Sequence, residues 1–306
     1  MPLYLVSTPI GNLGDVTYRA VEVLRSVAAI LAEDTRHSRR LLDHYGVRTP
    51  TLAYHEHNEA RATPGLVARL LAGEDLALVS DAGTPLLSDP GARLVRAAVD
   101  AGVAVVPIPG ASALLAALVA SGLDATRFTF FGFLARKGRE RADALAEIGR
   151  AVHTTVLYEA PSRTADTLAE LAAVAGADRA AVVARELTKQ FEELRRGTLG
   201  TLATYYADAP PRGEVVLVVG GRSEMAAPDA VALAARARAL HDGGMGTRDV
   251  ARALVEEHGV ARNLAYRVAQ EAGDADRGSP EAGRDGADNP AALGVGPTQD
   301  AGREDA

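Results

Sequence analysis

Short apolar segments alternate with longer segments of helical periodicity over residues 1–122, and this alternation constrains the fold more than any other feature of the chain. The apolar segments, each of strand length, are residues 3–7, 28–32, 51–54, 75–79 and 103–107. The helix-like segments between them are residues 16–27, 35–45, 59–72 and 92–101, and another ends near residue 122. Strands that alternate with helices in this way predict a mainly parallel sheet covered by helices.

A second α/β block begins near Phe128. Its predicted strands are residues 128–133, 155–158, 180–185 and 215–219, and its predicted helices are residues 139–151 and 163–175. Residues 197–203 are interpreted as a strand or turn that precedes a helical segment at 204–208. We therefore expect the α/β fold class, with an N-terminal α/β domain at 1–122 and a C-terminal α/β domain at 123–222.

The chain changes character after residue 221. Three helices are predicted at 229–242, 248–257 and 261–271, and the glycine-containing turn between the last two is typical of a helix-turn-helix. We expect a small helical domain at 228–272 that either contacts nucleic acid or serves only for packing. Residues 273–306 carry eight acidic residues and three arginines with almost no large apolar side chains, so this acidic tail is predicted to be disordered.

Composition narrows the functional classes. The chain has no cysteine, which excludes disulfides and thiolate metal sites. No apolar run is long enough for a membrane span and no signal segment is evident at the start, so we expect a cytoplasmic protein without membrane contact. The net charge of −7 argues against a broad nucleic-acid surface, although much of it comes from the tail.

The segment SDAGTPLLSDPG, residues 80–91, follows a predicted buried strand and precedes a predicted helix. Open parallel sheets bind small molecules at such strand-to-helix loops. Asp89 is expected to cap the helix, with Pro90 at its first position. A second loop of this kind, TPIGN, follows the first strand, whereas the glycine signatures of common dinucleotide and triphosphate sites are absent. An ordinary turn remains the alternative for both loops.

Charged residues follow the second predicted strand. Glu33 and Asp34 lie at its end, where either could accept a proton or orient a hydroxyl, and a salt-bridged helix start is the alternative. Arg36, Arg39 and Arg40 on the next helix could hold a phosphate, or could simply form a solvated helix face.

The segment HEHNE, residues 55–59, is a polar loop after a short strand. It lacks the spacing of a zinc H-E-x-x-H motif and no third ligand is evident, so substrate hydrogen bonding is favoured over a metal. In the second block, loops at 158–163 and 184–189 follow strands, and Arg212–Gly213–Glu214 precedes the last strand. Ligand loops on both blocks predict a site between the two α/β domains.

Together these segments resemble the tetrapyrrole (corrin/porphyrin) methylase superfamily, and most closely the ribosomal RNA small subunit methyltransferase I family. The resemblance spans residues 3–220 and rests on TPIGNLGD, EDTRHSRRLL, HEHNE, SDAGTPLLSDPG, PIPGASAL, GFLARKGRER, YEAPSR and RELTKQFEE. The segment at 229–272 is similar to the small C-terminal helical domain of that family.

The resemblance implies two α/β domains of the tetrapyrrole methylase type, a homodimer, and S-adenosylmethionine as the methyl donor between the domains. By analogy, the donor contacts are Asp81, Gly83, Thr84, Ala111, Ser112, Ala113, Phe131, Gly132, Tyr158, Leu187 and Gly213. The implied reaction is methylation of the ribose 2′-oxygen of a cytidine in 16S rRNA, within the small ribosomal subunit.

A ribose hydroxyl is a very weak acid, so a base or a strong hydrogen bond is expected to assist methyl transfer. The candidates are Asp34, Glu186 and Lys189. On the same hypothesis, His55 and Asn58 orient the nucleotide, and Arg36 and Arg39 hold the flanking phosphates.

Two rival classes of protein remain. One is a methylase of small-molecule tetrapyrroles, against which the HEHNE loop and the helical appendage speak. The other is a non-enzymatic nucleic-acid binder that uses the helix-turn-helix, against which the ligand loops speak.

Overall fold

The computed structural model describes residues 1–222, 230–258, 260 and 262–277. The chain divides into two compact units, Met1–Ser223 and Glu224–Ala306. Both predicted α/β domains lie in the first unit, and the predicted helical segment lies in the second. Among the described residues, no helix is both long enough and apolar enough to cross a membrane.

The first sheet of the larger unit is entirely parallel, as the alternation predicts. Its strands are β1 (Leu3–Val6), β2 (Ala29–Ala32), β3 (Thr51–Ala53), β4 (Leu76–Val79) and β5 (Val105–Ile108), in the order β3-β2-β4-β1-β5. Every residue of β2 and β4 is buried, which is why these strands are continuous apolar runs rather than alternating ones. The carboxyl ends of all five strands therefore point to one edge.

Five helices connect these strands and continue from the last one: α1 (Tyr18–Ser26), α2 (Thr35–His44), α3 (Glu59–Leu71), α4 (Ala92–Asp100) and α5 (Ala113–Ser121). Side-chain caps begin three of them, because the hydroxyls of Thr17 and Ser112 and the carboxylate of Asp34 each accept a backbone N–H of the first turn. A short 3₁₀ helix, Leu13–Asp15, precedes α1.

The second sheet is mixed. Its strands are β6 (Phe128–Phe133), β7 (Thr154–Glu159), β8 (Ala180–Arg185), β9 (Glu193–Thr198) and β10 (Val215–Val219), in the order β6-β7-β10-β8-β9. β10 is antiparallel to both β7 and β8, so Val215 at its start pairs with Glu159 and Arg185 at their ends. The segment before β10 thus meets the segments after β7 and β8 at one edge.

Helices α6 (Arg139–Arg150), α7 (Thr164–Ala175) and α8 (Leu199–Asp208) and the 3₁₀ helix Pro161–Arg163 complete the larger unit. Leu114, Ala117 and Leu118 of α5 pack against the face of the second sheet formed by Val156, Val182 and Val216, among others. Burial of this apolar surface fixes the two sheets to each other and brings their ligand loops together.

The smaller unit contains α9 (Ala230–Asp242), α10 (Thr247–His258) and α11 (Arg262–Arg277). Leu233, Val250, Leu254 and small residues of α11 form its core. These are the three helices that the sequence predicts. The tail is predicted to be disordered from residue 273, but helix α11 continues through Gly273 and ends at Arg277. The rest of the tail lies outside the described residues.

Two local expectations are wrong. Asp89 does not cap α4: the helix begins at Ala92, and its N-cap is Gly91, whose φ of 129° is accessible to glycine. The strand expected around residues 197–203 lies earlier, as β9, and α8 begins at Leu199 under a capping box formed by Thr198 and Thr201. The sequence ELRRGT of β9 has no apolar alternation, because this strand lies half-exposed at the sheet edge.

Candidate functional site

The loops after β1 and β4 are joined to each other at the carboxyl edge of the first sheet. The backbone of Thr8 and Gly83 forms an isolated antiparallel bridge, with N–O distances of 2.8 and 3.0 Å. The Thr84 hydroxyl donates to the carbonyl oxygen of Ala111 at 3.2 Å and accepts from the Ser7 hydroxyl at the same distance. Three predicted ligand loops are therefore held as one rigid group.

Backbone strain is concentrated at the site. In the described part of the chain, the non-glycine residues with positive φ are Leu86 (74°), Ser88 (70°), Glu186 (49°) and Thr188 (67°). The first two lie in the loop after β4 and the others in the loop after β8. Such conformations cost free energy and cluster at functional sites, so both loops are candidates for the functional site.

The loop after β8 is built around an ion-pair network. Lys189 Nζ lies 2.9 Å from Glu186 Oε1 and 3.1 Å from Glu214 Oε2. Glu186 Oε1 also accepts the backbone N–H of Glu214 at 3.0 Å. Gly213 permits this arrangement, since its φ is +80° and a Cβ there would stand 2.1 Å from Glu186 Oε1.

The two halves of the larger unit touch at this network. A Cβ on Gly11 would lie 2.4 Å from Cγ of Lys189, so the chain after β1 passes directly over the lysine stem. The backbone N–H of Asn12 donates to the Thr188 hydroxyl at 3.2 Å. The chain after β1 and the loop after β8 therefore meet at the place where a site between the two α/β domains is predicted.

The smaller of two adjoining cavities at this edge has a volume of about 370 Å³. Six of the predicted donor contacts line it: Asp81, Gly83, Thr84, Ala113, Tyr158 and Gly213. It is also lined by Ser88, Asp89, Phe133 and Glu214, which are not among the predicted donor contacts. We call it the donor-side cavity.

The other predicted donor contacts do not line this cavity. Ala111 contributes its carbonyl oxygen to Thr84, and Ser112 caps α5. Phe131 packs against the core under the second sheet, and Leu187 is buried against α5. Gly132 is close behind the cavity wall, because a Cβ there would stand 2.8 Å from the Ser88 hydroxyl oxygen.

The larger cavity has a volume of about 680 Å³. Its walls include Arg36, His37 and Arg40 of α2 and Lys189, and it shares Ile10, Asp81, Ala82 and Glu214 with the donor-side cavity. Arg36 and Arg40 lie one helical turn apart on the same face, which explains why Arg40 reaches the cavity and Arg39 does not line it. We call it the cation-lined cavity.

Asp34 has a different environment from the one expected of a base. Its carboxylate accepts the backbone N–H and the guanidinium of Arg36 at 2.8 to 3.2 Å. These hydrogen bonds lower the pKa of Asp34 to about 2, and the residue lines neither cavity. The geometry gives Asp34 the role of a helix cap and makes it a weak proton acceptor.

The HEHNE loop lines neither cavity. The side chain of Asn58 is occupied within the loop, where it accepts from the His55 backbone N–H and donates to the Ala53 carbonyl oxygen, both at 2.9 Å. His55 Nδ1 is buried without a hydrogen-bond partner among the described atoms. The side chain of Asn58 thus holds the loop together, and nucleotide contacts by His55 and Asn58 stay a prediction.

The donor-side cavity holds a carboxyl group with an unusual proton affinity. Burial raises the pKa of Asp89 to about 6, and the neighbouring charges of Glu33 and Asp81 act in the same direction. Burial likewise raises the pKa of Glu33 and that of the Tyr158 hydroxyl. Asp81 and Asp89 have no ion pair with a basic side chain among the described residues, and a site with such carboxylates is suited to a cationic ligand.

The lysine network has the opposite character. Burial disfavours the charged form of Lys189, but its hydrogen bonds to Glu186 and Glu214 outweigh this effect, and the pKa of the ammonium is raised. The hydrogen bond from Lys189 lowers the pKa of Glu186. Lys189 is therefore a protonated hydrogen-bond donor at the wall of the cation-lined cavity, and Glu186 is the group that holds it there.

No group of three or more His, Cys, Asp or Glu side chains is arranged to hold a metal ion within the ranges that the structure describes. The site thus consists of two adjoining cavities, one bordered by carboxylates and the other by arginines and a lysine.

Comparisons with known proteins agree with this architecture. The family profile of "Tetrapyrrole (Corrin/Porphyrin) Methylases" matches residues 2–203. A protein named ribosomal RNA small subunit methyltransferase I from Synechocystis sp. is 46% identical over 271 residues, which is 88% of this chain and 97% of that protein. Proteins of the same name from Xylella fastidiosa and Escherichia coli O157:H7 are 53% and 44% identical, covering 72% and 88% of this chain and 82% and 94% of theirs.

Solved structures share the fold at lower identity. Diphthine synthase superimposes with a TM-score of 0.57 at 16% identity, covering 72% of this chain and 90% of its own. Uroporphyrin-III C-methyl transferase from Thermus thermophilus, complexed with S-adenyl homocysteine, superimposes with a TM-score of 0.53 at 19% identity, covering 72% and 97%. These likenesses confirm the predicted α/β fold of the tetrapyrrole methylase type.

Proposed function

Because the chain belongs to the ribosomal RNA small subunit methyltransferase I family, we propose that it transfers a methyl group from S-adenosylmethionine to a ribose 2′-oxygen of a cytidine in 16S rRNA. The observation that carries the proposal is a pair of adjoining cavities that share Asp81 and Glu214, of which only the larger is also lined by Arg36, Arg40 and Lys189. A cationic methyl donor suits one and a phosphate-bearing substrate suits the other.

The donor-side cavity fits a nucleoside-sized donor by its own features. Its volume of about 370 Å³ lies in the range of small-molecule sites. The positive φ of Gly83 and Gly213 lets backbone approach the cavity without a side chain in the way. Asp81 and Asp89 supply negative charge, and S-adenosylmethionine, when bound, supplies an electrophilic methyl group on a positively charged sulfur.

The chain's own residues then divide the work. Asp81, Asp89 and the carbonyl-rich loops bind and orient the donor. The ring of Tyr158, stacked edge-on against Phe130 with centroids 4.9 Å apart, forms a fixed apolar wall that excludes water. Alignment of the donor with the reacting oxygen and exclusion of water contribute more to the rate of such a transfer than a covalent intermediate on the protein would.

We assign Lys189 as the catalytic group. Its ammonium lines the cation-lined cavity and is held by two carboxylates, so it can donate a hydrogen bond to the ribose oxygen and hold it towards the methyl group. As the bond from this oxygen to the methyl carbon forms and the bond from that carbon to sulfur breaks, the hydroxyl proton passes to solvent water. Glu186 positions Lys189. Arg36 and Arg40 hold phosphates of the substrate strand at the opposite wall.

The proposal includes a homodimer in the cytoplasm. Leu115 and Val119, one turn apart on α5, are 50% and 73% exposed, and such an apolar pair on a packed helix supports a contact between copies. Light scattering of the wild-type chain and a Leu115→Glu, Val119→Glu variant tests it: a monomeric variant is expected, and a monomeric wild type contradicts the dimer.

The function is tested by incubating the full chain with methyl-labelled S-adenosylmethionine and small ribosomal subunits that lack the modification. Label is expected in 16S rRNA, and nuclease digestion with mass spectrometry is expected to recover it as 2′-O-methylcytidine. A parallel reaction with uroporphyrinogen III tests small-molecule methylation. Label in the tetrapyrrole and none in rRNA would overturn the proposal.

A further inference from the structure

The smaller unit has a groove between α10 and α11 with a volume of about 490 Å³. It is bordered by Arg248 and Arg252 of α10 and by Arg262 and Tyr266 of α11. We call it the basic groove. The sequence alone leaves open whether these helices contact nucleic acid or serve only for packing.

The side chains of the groove form two matched pairs. Arg248 and Arg252 lie four residues apart, as do Arg262 and Tyr266, so each pair occupies one face of its helix with a rise of about 6 Å. The two faces border the same cavity. This arrangement presents cations on both sides of one channel instead of scattering them over the surface.

The charges of the groove are largely available. Arg252 pairs with Asp249 at 2.8 Å, whereas no ion pair of Arg248 or Arg262 occurs among the residues that the structure describes. Among the described residues that line the groove, Glu256 is the acidic one. Its neighbour Glu257 is neutralised elsewhere by a two-pronged contact with Arg236, at 2.8 Å for each pair of atoms.

Tyr266 adds an aromatic surface. Its side chain is 49% exposed, although the same helix buries Ala265 and Ala269 completely in the core of the unit. The packed alanines fix the helix, and the ring is left at the border of the groove. An exposed ring beside arginines is the combination on which unpaired bases stack while their phosphates are neutralised.

We propose that the basic groove binds a single-stranded RNA segment, with phosphates against Arg248 and Arg262 and a base against Tyr266. This inference rests on the proposed function for the origin of the RNA, since a methyltransferase for rRNA needs contacts beyond the reacting nucleotide. The binding itself is independent of methyl transfer and is measured separately.

The test is fluorescence anisotropy of a short, labelled single-stranded RNA with the full chain. A variant carrying Arg248→Gln and Arg262→Gln is compared with one carrying Arg238→Gln and Arg267→Gln, which removes equal charge from exposed positions of the same unit away from the groove. The groove variant is expected to raise Kd about tenfold and to reduce the salt slope of log K by roughly 1.4, and the control to change Kd less than about twofold. Tyr266→Ala is expected to raise Kd with an unchanged salt slope.

Each other outcome overturns the proposal. Equal weakening by the groove and control variants would mean unspecific charge attraction, and unchanged binding by the groove variant would mean that the RNA binds elsewhere. Equally tight binding of duplex RNA, or competition by polyglutamate at the same concentration as RNA, would exclude a single-strand site. Calorimetric binding of S-adenosylhomocysteine must stay at the wild-type level in all variants, so failure of the groove and failure of the proposed methyl transfer are distinguishable.

Discussion

The donor-side and cation-lined cavities share four residues but differ in chemistry. In the described chain, the charged residues at the donor-side cavity are the carboxylates Asp81, Asp89, Glu159 and Glu214. The cation-lined cavity adds Arg36, Arg40 and Lys189. The loops that separate the two cavities thus present carboxylates to the donor-side cavity and additional cations to the cation-lined cavity.

This difference follows from the elements that form each cavity. The donor-side cavity is formed largely by strand-end loops whose glycines bring backbone close, which suits recognition of a small cationic molecule. The cation-lined cavity takes its cations from a helix and from one lysine that carboxylates hold in place. Separate occupants for the two cavities are the central claim, and the variants below test it.

The largest effect is expected for Gly213→Ala, which disturbs both cavities. A Cβ would collide with Glu186, release Lys189 and narrow the donor-side cavity, so methyl transfer is expected to fall at least about a thousandfold. Gly102→Ala is the matched control: its φ of +72° carries similar strain, but a Cβ there meets nothing within 4 Å. Both variants are assayed for methyl transfer and for thermal unfolding. Equal losses of activity would show that strain alone is responsible.

Lys189→Met tests whether the cation-lined cavity can lose its function while the donor-side cavity keeps its own. It removes the ammonium but keeps the stem that packs against Gly11, so kcat for methyl transfer is expected to fall about a hundredfold. Binding of S-adenosylhomocysteine by calorimetry is expected to remain unchanged. Lys137→Met, at the other lysine of the chain, is an exposed control. A loss of donor binding with no loss of kcat would assign Lys189 to the wrong cavity.

Asp89→Asn tests the charge of the donor-side cavity. The raised pKa of about 6 means that the wild-type carboxyl ionises as pH rises through that value, so wild-type donor affinity is expected to increase from pH 5 to pH 8. The variant is expected to bind about tenfold more weakly at pH 8 and to lack this pH dependence. Asp208→Asn, at an exposed position, is the control.

Asp89→Asn, which is expected to weaken donor binding, is expected to stabilise the folded state. Because the folded state favours protonated Asp89, it loses stability as pH rises from the ordinary pKa of 3.8 through about 6. Asp89→Asn is therefore expected to raise the free energy of unfolding by roughly 2 kcal/mol at pH 8 and to leave it unchanged at acid pH. A pH-independent effect in urea titrations would contradict the raised pKa.

The smallest effect is expected for Asp34→Asn. Asparagine also caps helices, so methyl transfer is expected to stay within about threefold of wild type, whereas Asp34→Ala costs about 1 kcal/mol of stability through the lost cap. If Asp34→Asn instead abolished methyl transfer with donor and RNA saturating, the carboxylate would be the base after all.

The buried strands and the loops after them predict the parallel sheet, and the family resemblance implies six of the residues that line the donor-side cavity. The resemblance implies Phe131 as a donor contact, whereas Phe133 is the phenylalanine that lines the donor-side cavity. The pairing of β6 with β7 shifts register between Phe130 and Phe133, and no local pattern reveals such a bulge.

Long-range contacts explain the other differences. The raised pKa of Asp89 depends first on its burial in the assembled fold and then on the charge of Glu33, which follows a different strand. Strand β9 is recognisable only from its pairing along the whole of β8, together with the ion pair of Arg185 and Glu193 at 2.7 Å. These features arise from the assembled fold and not from any single segment.

The most direct test of the central claim is a crystal structure of the full chain soaked with S-adenosylhomocysteine. We predict that the ligand lies in the donor-side cavity, against Asp81, Gly83 and Tyr158, and leaves Lys189 facing an open cation-lined cavity. Ligand density among Arg36, Arg40 and Lys189, or none in the donor-side cavity at saturating concentration, would contradict the account.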